Sequence, residues 1–311
     1  MAEIVITEFM DETAVAQLAA DYEVLYDPAL VDVVDDLQGA LADAAALIVR
    51  NRTRVDAELL ARAPRLRVVG RLGVGLDNID LDACAQRGIE VCPATGANDD
   101  AVAEYVVTMA LVLLRNAYFA GGAVSAGSWP RTECMGREAA GKRLGLVGVG
   151  AIARRTADRA RALGMEVCGH DPHLPAEDPV WQRIERADSL RALLQTSDVI
   201  SLHVPLNSDT RHLLDAASLA HCKQGALLIN AARGGVVDEV ALVDALRDGW
   251  LGGAALDVFE HEPLDQEHGQ RFAGIPNLVL TPHIAGVTRE SNRRVSAVTA
   301  DNVRRALQGV H

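Results

Sequence analysis

A glycine turn followed at a distance by an acidic residue gives the first indication of chemistry. Residues 144–153 read as an apolar strand, the turn Gly148-Val149-Gly150 and the start of a helix. Gly148 permits the tight turn, and Gly150 leaves room for a pyrophosphate at the positive end of the helix. Asp171 ends the next predicted strand, where a carboxylate accepts ribose hydroxyl groups and repels a 2′-phosphate. The segment therefore predicts a dinucleotide site that prefers NAD to NADP.

Arg233, Glu262 and His283 each follow an apolar segment that predicts a strand. Taken singly, the arginine and the glutamate are ordinary solvated charges, and the histidine is an ordinary partner in a local hydrogen bond. If the strands are parallel, their carboxyl ends meet at one edge of the sheet, beside the predicted nicotinamide. Together the three residues are candidates for chemistry on a molecule bound there.

The elements that must position these residues alternate along the chain. Predicted strands cover residues 4–6, 24–26, 46–49, 66–69, 165–171, 198–205, 226–231, 254–259 and 278–281, besides the strand before Gly148. Predicted helices cover residues 13–20, 31–41, 56–62, 101–115, 189–195 and 238–248, besides the helix that opens at Ala151. Such alternation is typical of α/β proteins with parallel sheets covered by helices, and 311 residues suffice for about two domains.

Two loops near the N-terminus are candidate anion sites because each leaves the carboxyl end of a predicted strand. The loop 50–54 carries three arginines, among them Arg52, which is otherwise a plausible solvated charge. In the loop 71–78, the piece Gly73-Val74-Gly75 can direct backbone amides at a carboxylate, or can form a plain turn.

Composition limits the possible function classes. The formal net charge of −13 argues against nucleic acid and anionic membranes, which require basic patches. The five cysteines form no CxxC pair, so they predict neither a disulfide framework nor a zinc site. The first strand begins at once without a leader, and the most apolar run, residues 105–114, is too short to span a bilayer. We therefore expect a cytoplasmic protein.

Asn98-Asp99-Asp100 is expected to cap a long helix that runs from Ala101 to about Arg115. Because its middle is apolar on nearly every face, we expect it to be buried between domains or between subunits. Gly121 and Gly122, which follow it, are expected to break regular structure.

The chain resembles the D-isomer-specific 2-hydroxyacid dehydrogenase family over nearly its whole length, and within that family it is most similar to the phosphoglycerate dehydrogenase branch. The motifs that carry the resemblance are residues 70–80, 103–104, 148–152, 203–206, 230–235, 256–260 and 281–286.

The resemblance implies a Rossmann domain for NAD, residues 99–284, inserted into a flavodoxin-like substrate domain, residues 1–98 and 285–311. It implies an active site in the cleft between the two domains. It also implies a homodimer, with the helix from Ala101 and the following arm in the interface.

The resemblance further implies the roles of the strand-end residues. Arg233 would hold the substrate carboxylate and polarise the oxygen on C2. His283 would take the hydroxyl proton as hydride leaves C2 for the nicotinamide, and Glu262 would orient the imidazole and favour its protonated form. This chemistry requires no metal.

The remaining site residues are implied in the same way. Residues expected to contact the cofactor are Gly148, Gly150, Ala151, Ile152, Asp171, His203, Val204, Pro205, Thr210, Ala231 and Asp257. Residues expected to contact the substrate are Arg52, Leu72, Gly73, Val74, Gly75 and Asn98, together with Arg233 and His283.

The arginines of the loop 50–54 suit a small substrate with a second anionic group at C3. We favour 3-sulfolactate or 3-phosphoglycerate, with 3-sulfolactate slightly ahead. Hydroxypyruvate, glyoxylate and D-lactate are alternatives in which these arginines are merely solvated. An NADH-sensing binding protein of the same family is a further alternative, and a methyltransferase leaves Arg233, Glu262 and His283 without a role.

Overall fold

The structure is a computed structural model that describes residues 2–116 and 118–309. Positions 1, 117, 310 and 311, which the predicted domain ranges include, lie outside the described residues. The chain divides into two compact units, one formed by Met1–Asn98 and Val287–His311 and the other by Asp99–Gly286. We refer to them as unit 1 and unit 2.

Unit 1 contains a five-stranded parallel sheet in the order β2-β1-β3-β4-β5. Its strands are β1 (Ile4–Ile6), β2 (Val24–Tyr26), β3 (Ala46–Val49), β4 (Val68–Arg71) and β5 (Glu90–Pro93). Its helices are α1 (Glu12–Ala19), α2 (Val34–Ala40), α3 (Ala57–Ala61), α4 (Leu81–Gln86) and the last helix of the chain, α12 (Arg289–Gln308). β1 and β3 are buried along their whole length, as expected for continuous apolar strands covered on both faces.

The strand order of unit 1 reverses at β1, which pairs with β2 on one side and β3 on the other. Loops that leave the strands at such a switch point form the usual ligand crevice of an open α/β sheet. Here these are the loop after β1, which begins with Thr7 and Glu8, and the loop after β3, which holds Arg50 and Arg52.

Unit 2 contains a seven-stranded parallel sheet in the order β12-β11-β10-β9-β6-β7-β8. Its strands are β6 (Arg143–Val147), β7 (Glu166–His170), β8 (Glu185–Arg186), β9 (Val199–Leu202), β10 (Leu227–Asn230), β11 (Gly253–Leu256) and β12 (Leu278–Leu280). Its helices are α5 (Asp99–Arg115), α6 (Ala120–Ser125), α7 (Ala151–Ala162), α8 (Leu190–Thr196), α9 (Ala216–Leu219), α10 (Glu239–Arg247) and α11 (Gln266–Gly269). The order reverses at β6, so the switch point lies at the glycine turn that follows this strand.

The two parallel sheets and their helices confirm the predicted α/β class. β9, β10 and β11 are fully buried, and Ser201 and Asn230 are their polar residues. Their carboxyl ends lead into the loops of His203 and Arg233 and into the segment that holds Glu262. Ala285 packs with unit 2, because its amide donates to the Asp257 carboxylate at 2.7 Å.

Several predicted elements were wrong in detail. The expected helix over residues 31–41 is a 3₁₀ turn, Leu30–Asp32, followed by α2, since the β-branched residues Val31 and Val33 and the Asp32 between them have low helix propensity. Gly121 and Gly122 lie inside α6 instead of breaking it, because a glycine in a helix costs only about 1 kcal/mol. The sequence prediction also missed α4, β5, β8, α9, α11 and the 20-residue helix α12.

The long apolar helix α5 is buried within unit 2. It packs along α7 and against β10 and β11 of the sheet. Arg155 and Arg159 of α7 form ion pairs with the carboxylate of Asp100, in the first turn of α5, at 2.9 and 2.8 Å. The apolar side chains of α5 are thus buried inside unit 2, because this helix covers one face of the sheet.

Across the described residues, no helix combines the length and the apolar character that a membrane span requires. The cytoplasmic location stays a prediction.

Candidate active site

The glycine turn after β6 presents unpaired backbone donors. Gly148 has φ of +87°, and a Cβ atom there would lie 2.7 Å from the His203 carbonyl oxygen, so only glycine fits. Gly150 caps α7 without any side-chain hydrogen bond, and a Cβ atom on it would meet nothing within 4 Å. Among the described residues, the amides of Gly150, Ala151 and Ile152 have no hydrogen-bond acceptor. Three free amides at a helix N-terminus, with open space at Gly150, fit a pyrophosphate.

Asp171 lies directly after β7 and is only partly buried. Its carboxylate accepts the amide of Val149 at 2.9 Å and the amide of His173 at 3.0 Å, which fix its orientation beside the glycine turn. Each carboxylate oxygen has a second lone pair, so the group can still accept ribose hydroxyls. These features fit the adenosine half of NAD.

The segment after β9 holds the next predicted cofactor contacts. His203 is partly exposed, its ring is 3.0 Å from the Ser201 hydroxyl, and burial lowers its pKa to about 4. The Thr210 hydroxyl donates to the Pro205 carbonyl at 2.6 Å, so it closes the turn after this strand. Val204 and Ala231 are half-buried apolar residues that pack on the two sides of the sheet. His203 therefore enters the site as a neutral ring.

His283 and Glu262 form the closest ionisable pair at the strand ends. His283 Nδ1 lies 2.7 Å from one Glu262 oxygen, and the Phe259 amide donates to the other oxygen at 2.9 Å. Because a carboxylate only accepts, Nδ1 carries the proton and Nε2 faces away from Glu262. Burial raises the pKa of Glu262, but hydrogen bonds from His283 and Phe259 and the charge of Arg233 leave that pKa below its usual value. The pair is built to orient an imidazole and to stabilise its positive charge.

The loop that carries His283 is anchored on Asp257. His283 has φ of +54°, an uncommon conformation for a residue with a side chain. One Asp257 oxygen accepts the Thr281 hydroxyl at 2.6 Å and the Ile284 amide at 2.8 Å, and the other accepts the Ala285 amide at 2.7 Å. These bonds on both sides of His283 hold the loop in its strained conformation.

Asp257 was expected to face the cofactor, and the structure shows which protein groups bind its carboxylate. The residue is 0% exposed, and its side chain lies behind the His283 loop with both oxygens engaged. Burial raises the pKa of Asp257 even though Thr281 and two amides donate to it. Tyr105 of α5 extends the network, since its hydroxyl lies 2.6 Å from that of Thr281. Asp257 is therefore a positioning residue for the loop.

The Arg233 loop is held against the Glu262 segment. The Asn230 side chain donates to the Arg233 carbonyl at 2.9 Å and accepts the Ala232 amide at 3.1 Å. A Cβ atom on Gly234 would lie 1.8 Å from the Phe259 carbonyl oxygen, so only glycine permits this approach. Arg233 donates to the Ala232 carbonyl at 2.6 Å, and its charge acts on Glu262. The structure thus brings together the three predicted strand-end residues.

In unit 1, the glycine loop after β4 also presents free amides. Gly73 is buried with φ of +146°, and Val74 and Gly75 are at least partly exposed. The amides of Val74 and Gly75 have no acceptor within residues 2–116 and 118–309. Leu72 was expected to contact the substrate, but its side chain is 2% exposed and belongs to the core of unit 1. Two adjacent free amides can bind one carboxylate.

Asn98, the last residue of the first stretch of unit 1, is partly buried. Its side-chain oxygen is shielded from solvent and has no hydrogen-bond partner among the described residues. A shielded acceptor without a donor is uncommon in proteins and favours a polar ligand nearby.

The arginine loop after β3 is organised by a residue that the sequence analysis missed. The carboxylate of buried Glu8 accepts the amides of Arg50, Arg52 and Thr53 at 2.8, 3.2 and 3.0 Å. The Arg52 guanidinium forms an ion pair with Asp32 and is 56% exposed. The backbone of this loop is therefore already occupied by an internal carboxylate, and only its side chains can reach an added anion.

A cavity of about 300 Å³ lies beside this loop in unit 1. Glu8, Phe9, Arg50 and Arg52 are among its lining residues. The Arg50 guanidinium is tied to the Asn292 side chain at 2.8 Å, whereas that of Arg52 contacts only surface charge.

Glu8 and Asn230 share a signal that the sequence analysis could have used. Each is a polar residue within two positions of the end of a fully apolar strand, and each is buried. A buried polar side chain must find hydrogen-bond partners, and the nearest are the amides of the adjoining loops.

Known proteins share both sequence and structure with this chain. The profile of the D-isomer specific 2-hydroxyacid dehydrogenase NAD binding domain matches residues 107–285. An (S)-sulfolactate dehydrogenase of Chromohalobacter salexigens is 58% identical over 307 residues, which cover 99% of each chain. A D-3-phosphoglycerate dehydrogenase of Methanocaldococcus jannaschii is 36% identical over 99% of this chain, which spans only 58% of that relative's length.

A solved structure extends the comparison to a cofactor complex. The D-lactate dehydrogenase of Aquifex aeolicus, complexed with NAD and lactic acid, aligns with a TM-score of 0.87 at 30% identity, over 98% of this chain and 96% of the other. Together with the matched domain and the free amides of the glycine turn, these findings show that the chain belongs to the D-isomer specific 2-hydroxyacid dehydrogenase family and is an oxidoreductase that uses NAD.

Proposed function

We propose that this enzyme transfers hydride between NAD and C2 of a D-configured 2-hydroxy acid that carries a second anion at C3, with 3-sulfolactate as the preferred substrate. The observation that carries the reaction type is the 2.7 Å contact between His283 and Glu262 beside Arg233. The choice of 3-sulfolactate as substrate is supported by the 58% identity to an (S)-sulfolactate dehydrogenase over nearly the full length of both chains.

The stereochemical label of that relative is consistent with a D-specific family. In 3-sulfolactate the sulfur on C3 gives the CH₂SO₃ group priority over the carboxylate, whereas in lactate the carboxylate outranks the methyl group. The same arrangement of hydroxyl, hydrogen and carboxylate is therefore labelled R in D-lactate and S in sulfolactate. An (S)-sulfolactate presents C2 to the enzyme as D-lactate does.

The residues that would hold NAD lie in unit 2. The amides of Gly150, Ala151 and Ile152 would bind the pyrophosphate, and Asp171 would accept the adenosine ribose hydroxyls. The rest of the NAD molecule would be bordered by His203, Val204, Pro205, Thr210 and Ala231. When bound, NAD supplies the hydride acceptor for oxidation, and the reduced form supplies the donor for the reverse reaction.

The proton moves through His283. During oxidation the Nε2 atom takes the hydroxyl proton while the C2–H bond breaks and its electron pair leaves with the hydride, so that C2 becomes a ketone. The imidazole is then doubly protonated, and the Glu262 carboxylate at Nδ1 stabilises that charge. In the reverse direction Nε2 returns the proton to the carbonyl oxygen.

Arg233 would hold the substrate carboxylate and polarise the oxygen on C2 through its planar fork of donors. The free amides of Val74 and Gly75 would bind the carboxylate as well, since they have no acceptor among the described residues. The shielded oxygen of Asn98 could accept a hydrogen bond from the substrate. Several donors on one carboxylate would hold the substrate in one orientation.

Arg52 would bind the second anionic group of the substrate, the one on C3. Its guanidinium is largely exposed at a cavity of about 300 Å³, and its present partner is the surface residue Asp32. Exchange of one exposed ion pair for a sulfonate would require little energy, because such pairs are worth about 1 kcal/mol or less.

The enzyme would act as a homodimer through the arm that follows α5. This arm exposes large apolar side chains: Tyr118 at 64%, Phe119 at 44%, Trp129 at 77% and Met135 at 76%. An exposed apolar group of this size favours a protein interface. Analytical ultracentrifugation would check it, with a monomeric mass as the contrary result.

The proposed substrate is tested by initial rates of NADH formation with (S)-3-sulfolactate, D-3-phosphoglycerate and D-lactate at matched concentrations. We expect the highest kcat/KM with sulfolactate and the lowest with D-lactate. Equal rates with D-lactate would remove the second anion from the proposal and favour a simple 2-hydroxy acid. No turnover with any substrate of the class, while NADH still binds, would favour the NADH-sensing alternative.

A further inference from the structure

A cluster of three potential metal ligands lies on the segment between β11 and α11. His261 Nε2 is 3.5 Å from one Asp265 oxygen, and His268 Nδ1 is 2.8 Å from the other. The two imidazole rings are stacked, with centroids 4.2 Å apart and planes inclined by 16°. Two stacked imidazoles against one carboxylate form a compact N₂O donor set.

The spacing of these atoms suits a small divalent ion. Three donor atoms, one from each residue, lie within 4.8 Å of one another. Tetrahedral zinc with bonds of about 2.0 to 2.2 Å places its ligand atoms roughly 3.3 Å apart, so small side-chain rotations would close the cluster around an ion. The side chains of His261 and Asp265 are about half exposed, at 51% and 50%, so a hydrated ion can reach them.

The backbone already holds two of the ligands in place. Asp265 is the N-cap of α11 and accepts the His268 amide at 2.8 Å, so these two side chains share one short turn. His261 precedes Glu262, which is fixed by the Phe259 amide and by His283. The ordering entropy for ion binding is therefore largely removed before the ion arrives.

We propose that His261, Asp265 and His268 bind one zinc-class divalent ion, with water completing the coordination. Two imidazoles and a carboxylate favour Zn²⁺, Co²⁺ or Ni²⁺ over Mg²⁺ and Ca²⁺, which prefer oxygen ligands alone. The ion takes no part in hydride transfer. The ion links the segment that carries Glu262 to α11. Within the described residues, these three side chains form the sole group of His, Cys and carboxylate residues with metal-binding geometry.

The sequence already contains the pattern, as His261-x₃-Asp265-x₂-His268. The pattern contains no cysteine, so cysteine spacing gives no sign of it. Histidine and aspartate three and four residues apart reach one another here because a turn and the start of α11 bring them to the same side.

Titration of the full-length, chelator-treated enzyme with Zn²⁺ by isothermal calorimetry tests the proposal. We expect one ion per chain with micromolar affinity, and a loss of at least about tenfold in affinity in each of His261→Gln and His268→Gln, by analogy with the loss of metal-site partners. The matched control is His221→Gln, a partly exposed histidine elsewhere in unit 2, which should bind Zn²⁺ like the unaltered enzyme.

Two results would overturn the proposal. One is the absence of saturable binding, or affinity unchanged in both cluster variants. The other is a loss of binding in His283→Gln with the cluster intact, which would place the ion on the catalytic pair. Visible absorption of Co²⁺ gives a second readout independent of turnover, and its d–d bands should disappear in His268→Gln and persist in His221→Gln.

Discussion

Two loops of this molecule are each built around one buried carboxylate, and they differ in what they present. In unit 2, Asp257 accepts two amides and a hydroxyl from the loop that carries His283. In unit 1, Glu8 accepts three amides from the loop that carries Arg52. In both loops the buried carboxylate accepts hydrogen bonds from the loop itself and not from a ligand.

The difference lies in the side chains that the loops present. His283 is short, has two rotatable bonds and is fixed by Glu262 at 2.7 Å. Arg52 is long, largely exposed and bound to a surface carboxylate only. A proton-transfer group must be placed within a few tenths of an ångström, whereas a charge that selects an anion tolerates movement. Under the proposed function, the rigid loop carries the reaction and the adaptable loop carries the choice of substrate.

The largest expected effect is the loss of the proton acceptor. In His283→Gln the rigid loop remains but Nε2 is gone, so kcat should fall about 10²- to 10⁴-fold. Stopped-flow measurement of NADH formation checks this, and NADH binding, followed by fluorescence, should change less than about twofold because Gly150 and Asp171 are untouched. A kcat within tenfold of the unaltered enzyme would show that another group moves the proton.

The next prediction compares the two buried carboxylates directly. Asp257→Asn replaces one acceptor oxygen with a donor and releases one side of the His283 loop, so kcat should fall about 10- to 100-fold, equivalent to roughly 1–3 kcal/mol for lost hydrogen bonds. Glu8→Gln makes the same change in unit 1 and should lower the urea midpoint while kcat with D-lactate stays within about twofold. Equal kcat losses in both variants would contradict the division between a rigid and an adaptable loop.

A smaller effect is expected from the adaptable loop itself. Arg52→Ala should raise KM for 3-sulfolactate about tenfold, by loss of a charge-assisted hydrogen bond, and leave kcat and the D-lactate KM nearly unchanged. Arg54→Ala removes a neighbouring exposed arginine and is the control. If both substitutions act alike, general charge rather than Arg52 attracts the substrate.

The sequence predicted the elements whose pattern is continuous. The glycine turn, the strand before it and Asp171 follow from local rules, and so do the strand ends that carry Arg233 and His283, because parallel strands place their carboxyl ends together. Short or half-buried elements such as β5 were missed, since their residues Glu90-Val91-Cys92-Pro93 show neither a clear period nor a long apolar run.

The partners of buried polar groups could not be predicted. Asp257 was recognised as a site residue, but its bonds to Ile284 and Ala285 join residues 27 and 28 positions apart and depend on how the strands pack. Glu8 and the Arg50–Thr53 amides are likewise more than 40 positions apart. Sequence spacing predicts which residues approach a sheet edge, and the packed structure decides which of them face outward.

The smallest expected effect is a loss of stability in acid, and we expect it in unit 2, which contains His203. Eight of the nine histidines lie between residues 99 and 286, and the ninth is His311. Burial lowers the pKa of His203 from 6.5 to about 4. Between these pH values, His203 binds a proton in the unfolded chain but not in the folded enzyme. The contribution of His203 to the free energy of unfolding is therefore fully present above about pH 6.5 and is lost as the pH falls toward 4.

In His203→Gln this contribution is absent. The urea midpoint of the NAD-free enzyme should therefore drop less between pH 7 and pH 5 in the variant than in the unaltered enzyme, while His221→Gln should behave like the unaltered enzyme. Hydrogen exchange at pH 5 should show the added opening at β9 and its neighbours β6 and β10, with β1 and β3 of unit 1 unchanged. An identical pH dependence in all three proteins, or faster exchange in β1, would mean that a group other than His203 controls the acid sensitivity.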